Sequence, residues 1–433
     1  MTASSSVYRE LVKELGEDKV SNSELELLCY SYDSSPITGK PDVVVWPESY
    51  EEVMRVIEIA KRENVALVPR GSGTSIEGGP IPSRGGIVLH TARLRNFTVK
   101  PEEGLVRADA GCLVEDVAQS SGDMFFPLAT VYTMPKTIGG VIAEDYSCIQ
   151  GLGGVRSNVE TLRIATPKRG IIEVTRDSRP SIEDIVGSKG VLGVILEASL
   201  KLHRRVDGGL GVQAEYGTVE EACRAAGMLS SIGGTVNVEI IDQKALSFDY
   251  RLKGWPEPLG QAIILAEFRG EVMGRVGEIL GKVPPIQFQF YEDEPWKVWN
   301  LRNSLLSSIC RQNKSIVRCR VRIDRSMLPE FFRSVERISG AYRLDIGIYG
   351  NALSCEFYPT IASGKEPGET ERAIRAREKI IDLAIEMNGL QGDVRKPSWK
   401  TWMALGYSRD DIGRIVELKR SLDPTGIMNP GKV

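Results

Sequence analysis

The chain has 433 residues, 26% of them charged, with a formal net charge of -3. This near-neutral balance gives no electrostatic reason to expect a nucleic acid or an anionic membrane as a partner, and the length indicates two domains. Residues 1–19 lack the apolar segment of a secretory signal, and the apolar runs are too short to span a bilayer. We therefore expect a cytoplasmic protein, with a peripheral position at a membrane left open.

Apolar periodicity predicts both helices and strands in the first half of the chain. Residues 1–40 are expected to form a helical lead-in that ends in a polar turn. Ser49 to Glu52 has the sequence of a capping box that opens a helix, because apolar residues recur after it at helical spacing. Strands are predicted at 42–46, 65–68, 86–89, 105–110 and 191–202, and a helix at 114–120. From about residue 206, longer helices alternate with strands such as 235–241 and 315–323, which is typical of a separate unit.

Three glycine-rich segments are the most informative feature: 69–79 (PRGSGTSIEGG), 137–140 (TIGG) and 186–194 (VGSKGVLGV). Glycine has no Cβ and tolerates positive φ, so such runs let backbone N–H groups converge on phosphate oxygens. No G-x-G-x-x-G follows a strand, which argues against a Rossmann site. Residues 426–432 have the spacing of a P-loop, but Val433 stands where Ser or Thr is required, so that match is accidental.

In this order and at these separations, the three segments resemble the FAD-binding domain of the vanillyl-alcohol oxidase superfamily. Within it they are most similar to the FAD-linked D-2-hydroxy-acid dehydrogenases, such as the glycolate oxidase D subunit and D-lactate dehydrogenase. The resemblance implies an α+β fold, in which a two-subdomain FAD-binding domain is joined to an α/β substrate-cap domain. It divides the chain into a lead-in (1–40), the FAD-binding domain (41–205), the cap (206–389) and a C-terminal segment that returns to the flavin (390–433).

The resemblance also implies FAD as the cofactor and assigns its contacts residue by residue. Some relatives attach the flavin through a histidine in the first loop, whereas this loop has Ser72 and no histidine, so FAD is expected to be bound non-covalently. The terminal sequence NPGK at 429–432 matches a family signature. The expected cofactor-binding residues are Arg70, Gly71, Ser72, Gly73, Thr74, Ser75, Gly78, Pro135, Thr137, Gly139, Gly140, Gly190, Gly193, Val194, Ile195 and Asn429.

Arginines alternate along the predicted strand at 315–323. Strand periodicity puts Arg318, Arg320 and Arg322 on one face. Three aligned cations repel one another unless an acid or an anionic ligand lies opposite, and the sequence leaves both interpretations open. The resemblance favours a ligand at two positions, because Arg302 in a W-x-x-R segment and Arg318 match residues that hold the substrate carboxylate. Guanidinium groups suit this role, since they offer a carboxylate two parallel hydrogen bonds.

The metal-binding segments of the resembling family are missing. Its H-x-G-D-G-N-x-H segment is replaced by residues 348–356 (IYGNALSCE), without either histidine. The seven cysteines are scattered without a C-x-x-C pair, and His90 and His203 are the two histidines of the chain. We therefore expect no metal site and no internal iron–sulfur cluster, so electrons must leave to an external acceptor.

A catalytic base is also harder to assign than in the family. The E-H-G segment is replaced by residues 390–395 (LQGDVR), which leaves Asp393 as the candidate base. Tyr349, Tyr358 and Lys396 are further candidates for polarising the substrate oxygen, although each also fits a packing or surface role.

The sequence thus predicts an FAD-dependent oxidoreductase that oxidises a small anionic 2-hydroxy acid, of the D-lactate or glycolate type, by hydride transfer to flavin N5. Besides the substrate, the expected partner is an electron acceptor: a quinone, an electron-transfer protein or an iron–sulfur subunit. A homo-oligomer and a multi-subunit complex are both open. Two alternatives remain: an FAD-containing electron-relay subunit without catalysis of its own, and an enzyme that oxidises a phosphorylated alcohol held by the arginine row.

Overall fold

The computed structural model describes residues 3–128, 135–146, 150–204, 208–247, 258–303, 305, 315–364, 366–390 and 397–433. These residues form three β-sheets and a two-stranded ribbon, with helices packed on the sheets. No helix in this part of the chain is long and apolar enough to cross a membrane.

The first sheet and its helices are α1 (Ala3–Leu15), β1 (Val20–Ser21), α2 (Glu24–Cys29), β2 (Val43–Val45), α3 (Tyr50–Arg62), β3 (Leu67–Arg70) and β4 (Ile87–His90). The strand order is β1-β2-β4-β3, and β4 runs parallel to both β2 and β3. Ser49 caps α3, because its Oγ accepts the Glu52 N–H at 3.2 Å. The Glu52 carboxylate does not return this bond as a capping box requires; it accepts the Glu48 N–H at 2.8 Å and pairs with Lys19 at 2.7 Å.

The second sheet and its neighbours are β5 (Phe97–Lys100), β6 (Leu105–Asp109), α4 (Val114–Ser120), β7 (Met124–Phe125), α5 (Ile138–Glu144), α6 (Gly154–Asn158), β8 (Val159–Thr166), β9 (Gly170–Val174), α7 (Ile182–Ile185), β10 (Val194–Lys201) and β11 (His203–Arg204). The sheet is antiparallel in the order β5-β6-β10-β8-β9, and β7 and β11 form the ribbon. Ala165, Val194 and Leu196 share a buried cluster with Val43 and Leu89. The first two sheets therefore pack against each other.

The third sheet, called the cap sheet below, comprises β12 (Gly209–Tyr216), α8 (Val219–Leu229), β13 (Thr235–Asp242), β14 (Ala262–Arg269), α9 (Met273–Lys282), β15 (Gln287–Tyr291), β16 (Ser315–Arg318), β17 (Val321–Arg322), α10 (Leu328–Tyr342), β18 (Asp345–Asn351), β19 (Glu356–Ser363) and α11 (Glu369–Met387). Its strand order is β15-β12-β14-β13-β18-β19-β16, and β17 also pairs with β19.

The two faces of the cap sheet have different partners, because successive side chains of a strand point to opposite sides. Ile240 belongs to the large core that includes α8 and α10. The next residue, Ile241, packs instead with Tyr349 and Tyr358. We call this second side the inner face of the cap sheet. It is turned towards the first glycine segment, since Ile76 packs in the same cluster.

The C-terminal part returns to the first sheet after α12 (Pro397–Met403) and α13 (Arg409–Leu422). Leu67 in β3 donates to Ile427 O at 2.8 Å and accepts the Asn429 N–H at 2.8 Å. Asp423 shapes this return: its carboxylate accepts the N–H groups of Ile427 (3.1 Å) and Met428 (2.8 Å). The last segment is thereby fixed along the edge of β3.

Most of the predicted elements are present with ends shifted by one or two residues. The helical lead-in contains α1 and α2, and the helix predicted at 114–120 is confirmed as α4. Strands are confirmed where 42–46, 65–68, 86–89, 105–110 and 235–241 were predicted.

The prediction of a single strand at 315–323 is wrong in the middle of that range. Strand β16 ends at Arg318 and β17 begins at Val321, so the two residues between them leave the ladder. The three arginines consequently do not form one row. Arg318 and Arg320 are buried, whereas 43% of the Arg322 side chain is exposed. The break lets the Arg320 guanidinium reach Glu77 of the first glycine segment at 2.7 Å.

We expect Asp423→Ala to lower the free energy of unfolding by about 3 kcal/mol, because it leaves two buried N–H groups without an acceptor at about 1–3 kcal/mol each. Asp423 is 2% exposed and also pairs with Lys419 at 3.0 Å. The measurement is the urea midpoint, together with proteolysis of the C-terminal segment. Glu417→Ala, at an exposed position of α13, which ends directly before Asp423, is the control and should leave both the midpoint and the proteolysis unchanged. Equal midpoints for the two variants would contradict this role of Asp423.

Candidate functional site

A cavity lies where the ends of β3 and β4 meet the start of β10 and helix α5. It encloses about 740 Å³, part of which is open to solvent, and all three glycine-rich segments contribute to its wall. Gly78, Pro135 and Asn429, which were also predicted as cofactor contacts, do not line it. The predicted cofactor-binding residues that do line it are Arg70, Gly71, Ser72, Gly73, Thr74, Ser75, Thr137, Gly139, Gly140, Gly190, Gly193, Val194 and Ile195.

The first glycine segment is packed too tightly for side chains at two positions. A Cβ on Gly71 would lie 2.2 Å from Thr137 Oγ1. Gly73 has a φ of +70°, and a Cβ there would lie 2.2 Å from Arg70 Nη2. The Arg70 guanidinium thus lies against the loop, and its Nη2 donates to Tyr32 O at 3.0 Å. The absence of Cβ atoms is what lets this loop close over the arginine.

Arg70 is a buried cation with spare hydrogen-bonding capacity at the cavity wall. Its Nη1 makes no hydrogen bond within the described ranges. Burial lowers the pKa of Arg70, and the nearby Asp33 carboxylate opposes this shift. His90 lies close by, with Nδ1 2.8 Å from the Tyr30 hydroxyl; burial and then the Arg70 charge lower its pKa to about 4. Arg70 therefore suits an anionic ligand.

The second glycine segment forms the start of α5. Thr137 caps this helix, because its Oγ1 accepts the Gly140 N–H at 3.2 Å. A Cβ on Gly139 would lie 2.8 Å from the Ala110 Cβ. The helix can approach the second sheet this closely only because glycine is present.

The third glycine segment turns sharply before β10. Gly190 has a φ of +72°, and a Cβ on Gly193 would lie 2.7 Å from Ala165 O. The strand predicted at 191–202 therefore begins only at Val194.

Asn429 connects two of the segments. Its Nδ2 donates to Gly79 O at 2.9 Å and to Lys189 O at 2.7 Å. The C-terminal segment thereby ties the first glycine segment to the third. Asn429 thus supports the cavity wall, and its direct contact with the cofactor stays a prediction.

Glu77 lies at the centre of a buried charge network that links the cavity wall to the cap. Lys189 Nζ and Arg320 Nε each lie 2.7 Å from its carboxylate. Arg320 also donates to Glu144 O (2.8 Å) and Asp145 O (3.1 Å) at the end of α5. Burial alone would raise the pKa of Glu77, but the two cations outweigh it and hold the pKa at about 2.

The two predicted substrate arginines are both buried on the cap side. Arg302 Nε donates to Glu239 Oε2 at 2.7 Å, and its guanidinium lies 4.1 Å from the centre of the Tyr349 ring. Tyr349 stacks on Tyr358 with 5.4 Å between ring centres. Arg318 ends β16 and is 7% exposed. The charges of both arginines act on Tyr146, so they approach the same region.

Sequence reasoning missed Lys136 and Tyr146. Lys136 is 6% exposed and lines the cavity, and its Nζ lies 3.7 Å from the centre of the Tyr146 ring. Burial lowers the pKa of Lys136 to about 8. Burial likewise raises the pKa of Tyr146, which keeps its hydroxyl protonated. The position of Lys136 directly before Thr137 was the available signal, but the sequence does not show which way its side chain points.

Asp393 and Lys396 lie outside the described residues. His203 lies in the two-stranded ribbon, with its Nε2 2.8 Å from Asn158 Oδ1, and it does not line the cavity. No group of His, Cys, Asp and Glu side chains with the arrangement of a metal site occurs in the part of the chain that the structure describes.

Two family profiles match this chain. The FAD binding domain matches residues 41–175, and the C-terminal domain of the FAD linked oxidases matches residues 212–433. Among curated proteins, glycolate oxidase subunit GlcD of Bacillus subtilis (strain 168) is 27% identical over 99% of this chain and 96% of its own length. D-lactate dehydrogenase of Archaeoglobus fulgidus is 23% identical over 93% of this chain and 95% of its own length.

Solved structures show the same fold. p-Cresol methylhydroxylase superposes with a TM-score of 0.81 at 13% identity, over 100% of this chain and 97% of that one. 4-Ethylphenol oxidase from Gulosibacter chungangensis gives 0.79 at 15% identity, over 99% and 97%. The predicted fold class, an FAD-binding domain of the vanillyl-alcohol oxidase type joined to a second α/β domain, is confirmed.

We expect Glu77→Gln to destabilise the protein by about 3–5 kcal/mol, because removing one member of a buried ion network leaves the others uncompensated. The measurements are the midpoint temperature of thermal unfolding and the ratio of flavin to protein after purification. Both values should be lower than in the wild type. Since the folded pKa of Glu77 is about 2, its contribution is complete above its ordinary pKa and is lost as the pH falls towards 2. The variant should therefore show a weaker loss of stability in acid than the wild type.

Glu102→Gln makes the same chemical change at an exposed position and is the matched control. It should behave as the wild type in all three measurements. Retention of wild-type stability and flavin by Glu77→Gln would contradict the central role of this carboxylate.

Proposed function

Because the chain belongs to the FAD linked oxidases, we propose that it is an FAD-dependent dehydrogenase that oxidises a small 2-hydroxy acid of the D-lactate or glycolate type. The observation that carries the proposal is a glycine-walled cavity lined by Lys136, on which the charge of the buried Arg318 of the cap acts. Arg302 and Arg318 do not themselves line this cavity. The names of the relatives, a glycolate oxidase subunit and a D-lactate dehydrogenase, support the same substrate class.

The cavity fits FAD on two structural grounds. Glycine at 71 and 73 lets the first loop pack directly against Thr137 and Arg70, so that the loop itself forms part of the cavity wall. The buried Arg70 Nη1 without a partner in the described ranges suits a phosphate oxygen. When bound, FAD supplies the acceptor for a hydride from the substrate carbon. The absence of histidine from the described cavity lining supports non-covalent binding.

Arg302 and Arg318 would hold the substrate carboxylate. Both are buried, so their hydrogen bonds to an anion are not weakened by competing water. Arg302 is oriented by Glu239 and by the Tyr349 ring, which leaves its guanidinium in a defined position. The charge of Arg318 acts on both Lys136 and Tyr146 near the cavity.

The structure does not favour the phosphorylated alcohol held by an arginine row. Arg320 is already paired with Glu77 at 2.7 Å and Glu356 at 3.7 Å. Arg322 pairs with Glu356 at 2.9 Å and faces solvent. Of Arg318, Arg320 and Arg322, only Arg318 then remains for a substrate among the described residues. A single arginine suits a carboxylate better than a phosphate.

The electrons are proposed to pass to an external acceptor, such as a quinone, an electron-transfer protein or an iron–sulfur subunit. Relatives named as glycolate oxidase subunits support assembly with further chains. An electron-relay subunit without catalysis of its own remains the second candidate, because the family histidines are missing at 348–356. Reduction of the flavin by substrate in the isolated chain distinguishes the two.

We expect D-lactate or glycolate to bleach the visible flavin band of the purified chain under anaerobic conditions, whereas glycerol phosphate leaves it unchanged. The measurement is the absorbance spectrum after each addition, with D-2-hydroxyglutarate as a larger hydroxy acid. A bound flavin that none of these compounds reduces would sink the dehydrogenase proposal in favour of the relay subunit.

We expect Arg318→Gln to raise the dissociation constant of oxalate, a dicarboxylate probe, by about 10- to 100-fold, because hydrogen bonds between charged groups contribute about 1.5–3 kcal/mol. Perturbation of the flavin spectrum by oxalate measures this. Arg322→Gln is the control, because Arg322 lies four residues after Arg318 and its side chain is about half exposed. This variant should bind oxalate as the wild type does. Equal weakening in the two variants would instead support a diffuse electrostatic effect.

A further inference from the structure

Lys136 is a buried lysine that has no ion-pair partner among the described residues. Its backbone is fixed, because its carbonyl oxygen accepts the Val114 N–H at 2.9 Å, and its side chain extends to the Tyr146 ring. No ion pair or hydrogen bond to its Nζ is formed among residues of the described ranges. An ammonium buried in this way is costly for the fold. Its position on the cavity wall indicates a ligand as the reason for its retention.

Charged groups act on Lys136 from several elements. Arg318 and Arg320 approach from the cap, Glu144 from the end of α5, and Glu115 from α4. Burial is the main cause that lowers the pKa of Lys136 to about 8; the two arginines lower it further and the two glutamates oppose them. The amine is therefore protonated well below pH 8 and neutral well above it.

We propose that Lys136 is the general base of the reaction, and that its Nζ accepts the hydroxyl proton of the 2-hydroxy acid. This inference rests on the proposed function. In a 2-hydroxy acid the hydroxyl and carboxylate are on adjacent carbons, so a base must lie beside the group that binds the carboxylate. Lys136 suits this requirement, since it lines the cavity and the charge of Arg318 acts on it, which places the two groups in the same region.

The proton and electron balance is complete with these groups. The substrate C–H bond breaks and its electron pair leaves with the hydrogen to FAD, while the O–H bond breaks and its proton moves to Lys136 Nζ. The carbon–oxygen double bond of a 2-oxo acid forms, and the lysine becomes an ammonium. Lys136 then returns the proton to solvent before the next cycle. A lysine with a pKa lowered towards 7–8 is suited to this task.

The first test compares Lys136→Met with Lys136→Arg by the pH dependence of turnover. The wild type should show kcat/KM rising through about pH 8 to a plateau, since the neutral amine is the active form. Both variants should retain FAD and bind oxalate, lose about 10²–10⁴-fold in kcat, and lose the rise near pH 8. Lys136→Arg keeps the cation, so it remains informative if Lys136→Met fails to fold. Lys282→Met, at an exposed site on α9, is the control.

A second test needs no turnover. Trace acetylation with acetic anhydride, followed by mass spectrometry, reports the fraction of neutral amine at Lys136 in the purified protein as a function of pH. Reactivity should titrate near pH 8, with exposed Lys282 as the internal reference. Titration of Lys136 in the range of an ordinary lysine would overturn the proposal.

Other outcomes also decide the question. A rise in KM with unchanged kcat in Lys136→Met would make the lysine a carboxylate anchor and overturn its role as base. Loss of the rise near pH 8 in Asp393→Asn, with the rise kept in Lys136→Met, would assign the base to Asp393. Failure of the proposed function would be seen separately, because no hydroxy acid would then reduce the flavin of the wild-type protein. That result would also overturn the role of Lys136 as base.

Discussion

The buried Glu77 carboxylate is the constraint on which the rest of the site depends. It is 6% exposed, and two cations, Lys189 and Arg320, each lie 2.7 Å away. An isolated buried charge costs several kcal/mol, so each of the three ions can be buried only while the others are present. Glu77 belongs to the first glycine segment, Lys189 to the third and Arg320 to the cap. These three parts must therefore come together as one unit.

The same network explains why the cap is attached where it is. Arg320 also donates to the carbonyl oxygens of Glu144 and Asp145, which brings the end of α5 into the assembly. The inner face of the cap sheet lies against the first glycine segment, because Ile76 packs in the same buried cluster as Tyr349 and Tyr358. One arginine of the cap thus connects the first glycine segment to the end of α5.

The sequence predicted the features that depend on the residue itself, such as the glycine segments. It did not predict the positions of side chains that depend on residues far away in the chain. All three glycine segments line the cavity. They could be recognised from the sequence, because the missing Cβ and the tolerance of positive φ are properties of glycine itself. The predicted row of arginines was wrong, because strand periodicity assumes an unbroken ladder of hydrogen bonds. Arg320 lies outside the ladder and pairs with Glu77, which is 243 residues away in the chain. Lys136 was missed for the same reason. Its neighbours along the chain do not show that Tyr146 and Arg318 surround it.

The distribution of charge around the cavity also bears on substrate choice. Arg302 has Glu239 as its partner, whereas neither Arg318 nor Lys136 has an ion-pair partner among the described residues. Two such cations repel each other, and this repulsion adds to burial in lowering the pKa of Lys136. An entering carboxylate would neutralise Arg318 and relieve the repulsion. The proton that arrives on Lys136 during oxidation would then be stabilised by that carboxylate, so anchoring the anion and accepting the proton reinforce each other.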